Sequence, residues 1–265
     1  MQDVARHIRG RVIQMSAAGR APHLGSALSC VDILVAAYWG AMKINPDDPD
    51  APDRDRLVFS KGHAISALYA ALAFRGLFDP AMLDQFNVPG SALPEHPSPR
   101  CVPGLEVASG SLGHGLSIGA GMALAGRIAG RDYRVFVVAS DGECNEGSVW
   151  EAAMFAAGQH LDHLAVIVDF NRWQATGRST EVLALEPLRD KFEAFGFSAV
   201  EVNGHDLTDL AQHLSNVPDG SGKPIGLIAH TVKGKGVSFM EDDNNWHYRI
   251  PTGDEVAAAH AELGL

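Results

Sequence analysis

Two short, almost wholly apolar runs, Tyr133 to Val138 and Leu164 to Val168, flank the segment Ser148 to Gln159, whose apolar spacing is helical. Strand, helix and strand in that order make a βαβ unit, and its two strands must run parallel. Strands of this kind are covered on both faces, which explains why neither run alternates apolar with polar residues. The same grammar recurs along the chain. Leu57-Val58-Phe59 leads through Ser60-Lys61-Gly62-His63-Ala64 into a helical stretch ending near Phe74. Ala199 to Val202 and Ile225 to Ala229 read as further strands, with a helix expected over Leu185 to Phe195. Helices are expected over 3–18 and 29–42, joined by a loop from Gly19 to Gly25 that contains Pro22 and His23. The fold class is therefore α/β, a doubly wound, mainly parallel sheet with helices on both faces. With 265 residues, no internal repeat and no linker, residues 1–265 are expected to form a single domain.

Charge restricts what such a domain can bind. There are 32 acidic and 21 basic residues, a formal net charge of -11, which disfavours nonspecific contact with nucleic acid or with anionic membranes. Any site for a phosphate must then be local. Cys30, Cys101 and Cys144 are too few and too scattered for a disulfide framework or a metal-binding pair, so buried thiols in a reducing compartment are expected. The N-terminal segment carries Arg6, Arg9 and Arg11 among its apolar residues and so offers no uninterrupted signal-peptide core, and the longest apolar run, Ile33 to Met42, is far short of the roughly 18 residues of a membrane span. The expectation is a soluble, cytoplasmic protein.

Ligands of parallel sheets bind outside the carboxyl ends of neighbouring strands. Asp141 and Asn171 stand at two such ends, one βαβ unit apart. A carboxylate and an amide oxygen are hard donors, and so sparse a set suits magnesium, which completes its octahedron with water and phosphate oxygens. Asp-Gly and Asn also favour turns and helix caps, so neither residue is decisive by itself. Ser109-Gly110-Ser111-Leu112-Gly113-His114-Gly115 opens a helix and can turn backbone N–H groups toward an anion, although its glycines lack the dinucleotide spacing. Residues 87–113 hold five prolines and form a long loop, the kind of segment that carries function. His23, His63, His96, His114 and His247 all fall in loops beside Gly, Pro or aromatic residues, where active-site groups collect.

Ser140-Asp141-Gly142-Glu143-Cys144-Asn145-Glu146-Gly147, followed by Asp169-Phe170-Asn171-Arg172-Trp173, resembles the thiamine diphosphate signature of the transketolase family, with Ser140 in place of its first glycine. Lys61-Gly62-His63-Ala64, Glu95-His96-Pro97, Asn203-Gly204-His205-Asp206 and Thr231-Val232-Lys233-Gly234-Lys235-Gly236 are similar to further landmarks of that family. The resemblance covers nearly the whole chain and is closest to the N-terminal, diphosphate-binding part, in versions where that part is a separate subunit. It implies the thiamine diphosphate-binding fold and a set of roles. Asp141, Asn171 and the carbonyl of Trp173 bind Mg2+, for which Ca2+ or Mn2+ can substitute. The cofactor set is His63, Gly110, Ser111, Leu112, Gly113, Asp141, Gly142, Glu143 and Asn171. His23, His63, His96 and His247 hydrogen-bond a ketose and shuttle protons, while Glu146 joins a carboxylate network at the subunit interface.

The implied reaction moves a two-carbon ketol unit from a ketose phosphate to an aldose phosphate. The glutamate that activates the cofactor ring lies, in the family, in a later domain. The expected partner is therefore a separate C-terminal, pyrimidine-binding subunit, joined with this chain in an α2β2 heterotetramer. Three departures bear on sugar choice: His23-Leu24-Gly25 in place of His-Pro-Gly, His114 in place of glutamine, and Tyr248 in place of a glycine. A 2-oxoacid-decarboxylating subunit with the same cofactor, and a noncatalytic partner of the same fold, are the alternatives.

Overall fold

The structure, a computed structural model, describes all of residues 1–265. Five strands, β1 (Arg56–Phe59), β2 (Val135–Ser140), β3 (Leu164–Phe170), β4 (Ser198–Asn203) and β5 (Ile225–His230), form one sheet in the order β1-β2-β3-β5-β4. Every pairing is parallel, so the expected mainly parallel sheet is wholly so. Successive side chains of a strand point to opposite faces, and the core divides accordingly. Leu57 and Phe59 of β1, with Phe136 and Val138 of β2, join a core of 53 buried residues. Val58, Val135 and Val137 point into a second core of 22.

The larger core is closed by α1 (Gln2–Gly19), α2 (Leu24–Ser29), α3 (Val31–Val35) and α4 (Ile65–Phe74), together with α9 (Leu207–Ser215) and α10 (Gly253–Leu263). The smaller one lies under α5 (Gly115–Ile128), α6 (Gly147–Gly158) and α8 (Leu188–Ala194); a single turn, α7 (Ser179–Val182), precedes α8. Helix α10 starts on a full capping box between Thr252 and Glu255. Its far end is tied to α1 by Arg6, which donates to the carbonyls of Leu263 and Gly264.

Several boundaries differ from the sequence expectation, each for a local reason. The helix expected over 29–42 breaks at Cys30 and runs on as a π-helical turn, Ala36–Ala41. At the break, Ser29 Oγ donates its one hydrogen across the molecule to Asp169 (2.6 Å), with the Ser26 carbonyl at 3.0 Å as a local alternative acceptor of the kind that competes with the helical ladder. The Gly19–Gly25 loop shrinks, because Leu24 and Gly25 are already helical. The helix expected from Leu185 begins only at Leu188, since Pro187 holds the preceding chain extended.

Strand β2 is displaced two residues toward its carboxyl end, and β3 runs on to Phe170. Asp141 and Asn171 consequently follow their strands with no intervening residue. Cys30 and Cys144 are buried as expected, but Cys101 is only half-buried, lying in the long loop with its sulfur 3.5 Å from the Tyr69 hydroxyl. All three cysteines are free. No helix is long and apolar enough to cross a membrane.

Candidate active site

At the carboxyl edge of the sheet, Ser140 of β2 is paired in register with Asp169 of β3. The next residue, Asp141, donates its N–H to the Asp169 carbonyl at 3.3 Å. Its carboxylate accepts from Gly142 N, Arg172 N and Ser179 Oγ, each at 2.8 Å. A side chain from the end of β2 thus reaches the backbone one residue beyond Asn171, so the two strand ends share one small volume. Asn171 is held by Ser29 Oγ, which accepts from its Nδ2 at 3.3 Å, and by Trp173 N, which donates to its Oδ1 at 3.0 Å. Both residues are buried. Burial is the main reason the Asp141 carboxyl rises to about 6, with the neighbouring Asp169 charge adding to it.

Beneath this pair lies a charged layer that sequence reading left without a role. Lys61 and Asp169 are both wholly buried and form an ion pair. Lys61 Nζ also donates to the Ser26 carbonyl at 2.9 Å, and Asp169 accepts from the hydroxyls of Ser29 and Thr231. Burial alone would lower the Lys61 ammonium, but the Asp169 carboxylate raises it above its ordinary value. Ser29 therefore links the buried pair to the Asn171 amide. Such a charge is hardly ever buried without a partner, and the partner here lies on a strand far away in sequence.

A cavity of about 300 Å³ opens on these strand ends. Its walls carry His23, His63 and His247, the backbone-exposing Gly110 and Gly142, and Leu112, Asn171, Trp173 and Gln174. Larger hollows exist, one of about 740 Å³ beside Arg54, Arg56 and Arg100, but the histidines converge only here. The His23 ring is 5.5 Å from that of His63, 5.0 Å from His247 and 6.4 Å from His96. Burial, reinforced by the neighbouring cations and rings, pushes His23 down to about 4, His247 to about 3 and His63 well below its usual value. Near neutral pH the cavity is lined by uncharged imidazoles that can donate and accept.

In the sequence Lys233 is only one residue of a motif, yet its Nζ lies 3.0 Å from His247 Nδ1. Its own value falls to about 8, through burial and then the Lys61 charge. A buried polar atom of the cavity wall, Gln174 Nε2, has no hydrogen-bond partner. A polar ligand fits that state of the wall better than an apolar one.

The glycine-rich loop is fixed from below. Glu143 accepts from Ser60 Oγ, from Gly113 N (2.8 Å) and from Ser140 N (3.3 Å), so its carboxylate is turned toward the loop and the strand end. Gly110 lies at φ +137°, and a Cβ there would meet the His96 ring at 2.8 Å. Of the residues expected at the site, His23, His63, His247, Gly110, Leu112, Gly142, Asn171 and Trp173 share the cavity. Ser111 faces a smaller hollow beside Ser60 and His114. His96 is exposed, and Glu146 is exposed at the N-terminal end of α6.

The family model described as "Transketolase, thiamine diphosphate binding domain" matches residues 1–265. An apulose-4-phosphate transketolase subunit of Phocaeicola vulgatus is 42% identical over 255 residues, covering 96% of this chain and 90% of that protein. The 6-deoxy-6-sulfo-D-fructose transketolase subunit SqwG of Clostridium sp. is 43% identical over 241 residues, covering 91% and 88%. Among solved structures, transketolase from Campylobacter jejuni superposes with a TM-score of 0.92 at 32% identity, covering all of this chain and 42% of that one. The chain thus spans about two fifths of the solved transketolase it matches.

Proposed function

Because the chain belongs to the family of transketolase thiamine diphosphate-binding domains, we propose that it is the diphosphate-binding subunit of a two-chain transketolase. The observation that carries this reading is that Asn171 and neutral histidines line one cavity at the carboxyl ends of β2 and β3, with the Asp141 carboxylate buried beside Asn171 and bonded to Arg172 N. Asp141 and Asn171, with the Trp173 carbonyl, would hold Mg2+, and Ca2+ or Mn2+ could replace it. The fit rests on chemistry: the donors are all oxygen, and a cation would relieve the burial cost carried by the Asp141 carboxylate. His63, Gly142 and the backbone of Gly110 to Gly113, supported by Glu143, would receive the diphosphate.

Bound thiamine diphosphate supplies the electron sink for breaking the carbon–carbon bond beside a ketose carbonyl. This chain's own residues bind and orient the sugar. His23, His63, His96 and His247 offer paired donors and acceptors to a polyol, which favours ketol transfer between sugar phosphates over 2-oxoacid chemistry. Relatives named as transketolase subunits support a separate partner, which we take to be a pyrimidine-binding chain in an α2β2 assembly. Glu146 is exposed and available to it. Free thiols fit a cytoplasmic setting.

Calorimetry of the chain with its partner tests this. Thiamine diphosphate should bind only with Mg2+ present, and Asp141→Asn should weaken binding about 100-fold or more. Binding indifferent to both the metal and the substitution would overturn the assignment.

A further inference from the structure

His23 and His247 are neighbours at the heart of the cavity, nearly perpendicular at an interplanar angle of 83°, but they keep opposite company at Nδ1. For His247 that nitrogen lies 3.0 Å from Lys233 Nζ, which also donates to Asn244 Oδ1 at 2.6 Å. An ammonium has only hydrogens to offer, so His247 Nδ1 must present a lone pair and the ring proton sits on Nε2. For His23 the same nitrogen is buried, has no hydrogen-bond partner, and lies 3.5 Å from Glu95 Oε1. A lone pair there would confront a carboxylate oxygen, whereas an N–H is attracted to it. The proton of His23 therefore belongs on Nδ1, which leaves Nε2 bare.

The backbone clamps the two rings in this relation. His23 occupies the left-handed region at φ 69°, and its N–H donates to the His247 carbonyl at 2.7 Å. Both rings are neutral near pH 7, because burial lowers each of them.

We propose that Lys233 and Glu95 are positioning residues that impose opposite tautomers on this pair, making His247 the hydrogen-bond donor and His23 the proton acceptor toward a substrate hydroxyl. The assignment of a hydroxyl as the object rests on the ketose reading above; the tautomers themselves do not. Two like tautomers would turn the same nitrogen of each ring toward its Nδ1 neighbour, and one of the two would then be mismatched with Lys233 or Glu95. With the protons placed oppositely, one ring polarises an oxygen while the other removes a proton. When a hydroxyl proton passes to His23 Nε2, the new imidazolium already directs its Nδ1–H at the Glu95 carboxylate, which stabilises the added charge. On the other side, the Lys233 ammonium opposes protonation of His247 and keeps it a donor.

The experiment is two-bond proton–nitrogen correlation NMR of the full chain labelled with ¹⁵N-histidine, at pH 7.5. The expected spectrum has a lone-pair nitrogen shift at Nδ1 of His247 and at Nε2 of His23. Glu95→Ala should redistribute the His23 tautomers alone, and Lys233→Met those of His247 alone. Glu95 is partly exposed, so its substitution tests the idea even where Lys233→Met fails to fold. The same tautomer on both rings, or a His23 signal indifferent to Glu95→Ala, would refute the proposal. In the assembled enzyme, Glu95→Ala should lower kcat about tenfold and leave thiamine diphosphate affinity unchanged. Opposite tautomers in a wild-type assembly that performs no ketol transfer would sink the ketose reading and leave this assignment standing.

Discussion

Lys61 places an ammonium where no water reaches it, and only the Asp169 carboxylate makes that tolerable. Removing one partner strands the other charge, which typically costs 3–5 kcal/mol, far more than losing the attraction alone. Lys61→Met should therefore destabilise the chain by roughly 3–5 kcal/mol in urea denaturation, and the double change Lys61→Met with Asp169→Leu should recover much of the loss. A double variant no more stable than the single one would argue against a buried pair. The histidines carry a pH dependence of known sign. Their folded values are depressed, so the unfolded chain takes up protons near pH 6.5 that the fold refuses until about 4 for His23 and about 3 for His247. Their contribution is present above pH 6.5 and is lost as pH falls through that window. His247→Asn should flatten this part of the acid profile relative to wild type, as read from denaturation midpoints between pH 7.5 and 4. Sequence reading picked out the histidines, because loop histidines beside glycine are conspicuous. Lys61, Asp169, Ser29 and Lys233 had no role there, because a buried partner is a fact about distant segments.

At the scale of elements, the site depends on two loops packed with no room for a side chain between them. A Cβ on Gly62, just after β1, would meet the backbone of Gly110 and lie 2.7 Å from the Ser109 carbonyl oxygen. Backbone cannot step aside as a flexible side chain can. Gly62→Ala should displace the Ser109–Gly113 loop and lower thiamine diphosphate affinity about tenfold in the assembled enzyme, with the circular dichroism of the sheet and helices retained. Unchanged affinity would mean that this interlock does not position the diphosphate loop. Strand and helix order was legible because hydrophobic period is a local property. The ends were not: Ser140 and Asp169 are polar, yet the ladder carries the strands through them because each pairs with the other. That extension sets Asp141 and Asn171 directly at the rim.

For the whole molecule, one sheet with unequal cores leaves its carboxyl edge open, and the proposed partner would close it. A ligand that binds only the assembled state stabilises that state by mass action, by about 2.7 kcal/mol at one hundred times its dissociation constant. Thermal denaturation should thus show Mg2+ and thiamine diphosphate raising the midpoint of the chain with its partner by several degrees, and raising that of the chain alone much less. Equal shifts in both would mean that the cofactor site is complete within this chain.

The alternation of apolar runs with helical segments determined a parallel α/β sheet, and it set the acid Asp141 and the amide Asn171 at neighbouring strand ends, since both follow from spacing along the chain. Only the tertiary structure decided which charges are buried together, which loops interlock at glycine, and which nitrogen of each central imidazole carries the proton. These depend on groups far apart in sequence, such as Lys61 with Asp169 and His23 with His247, whose distances are set by packing and have no trace in local pattern.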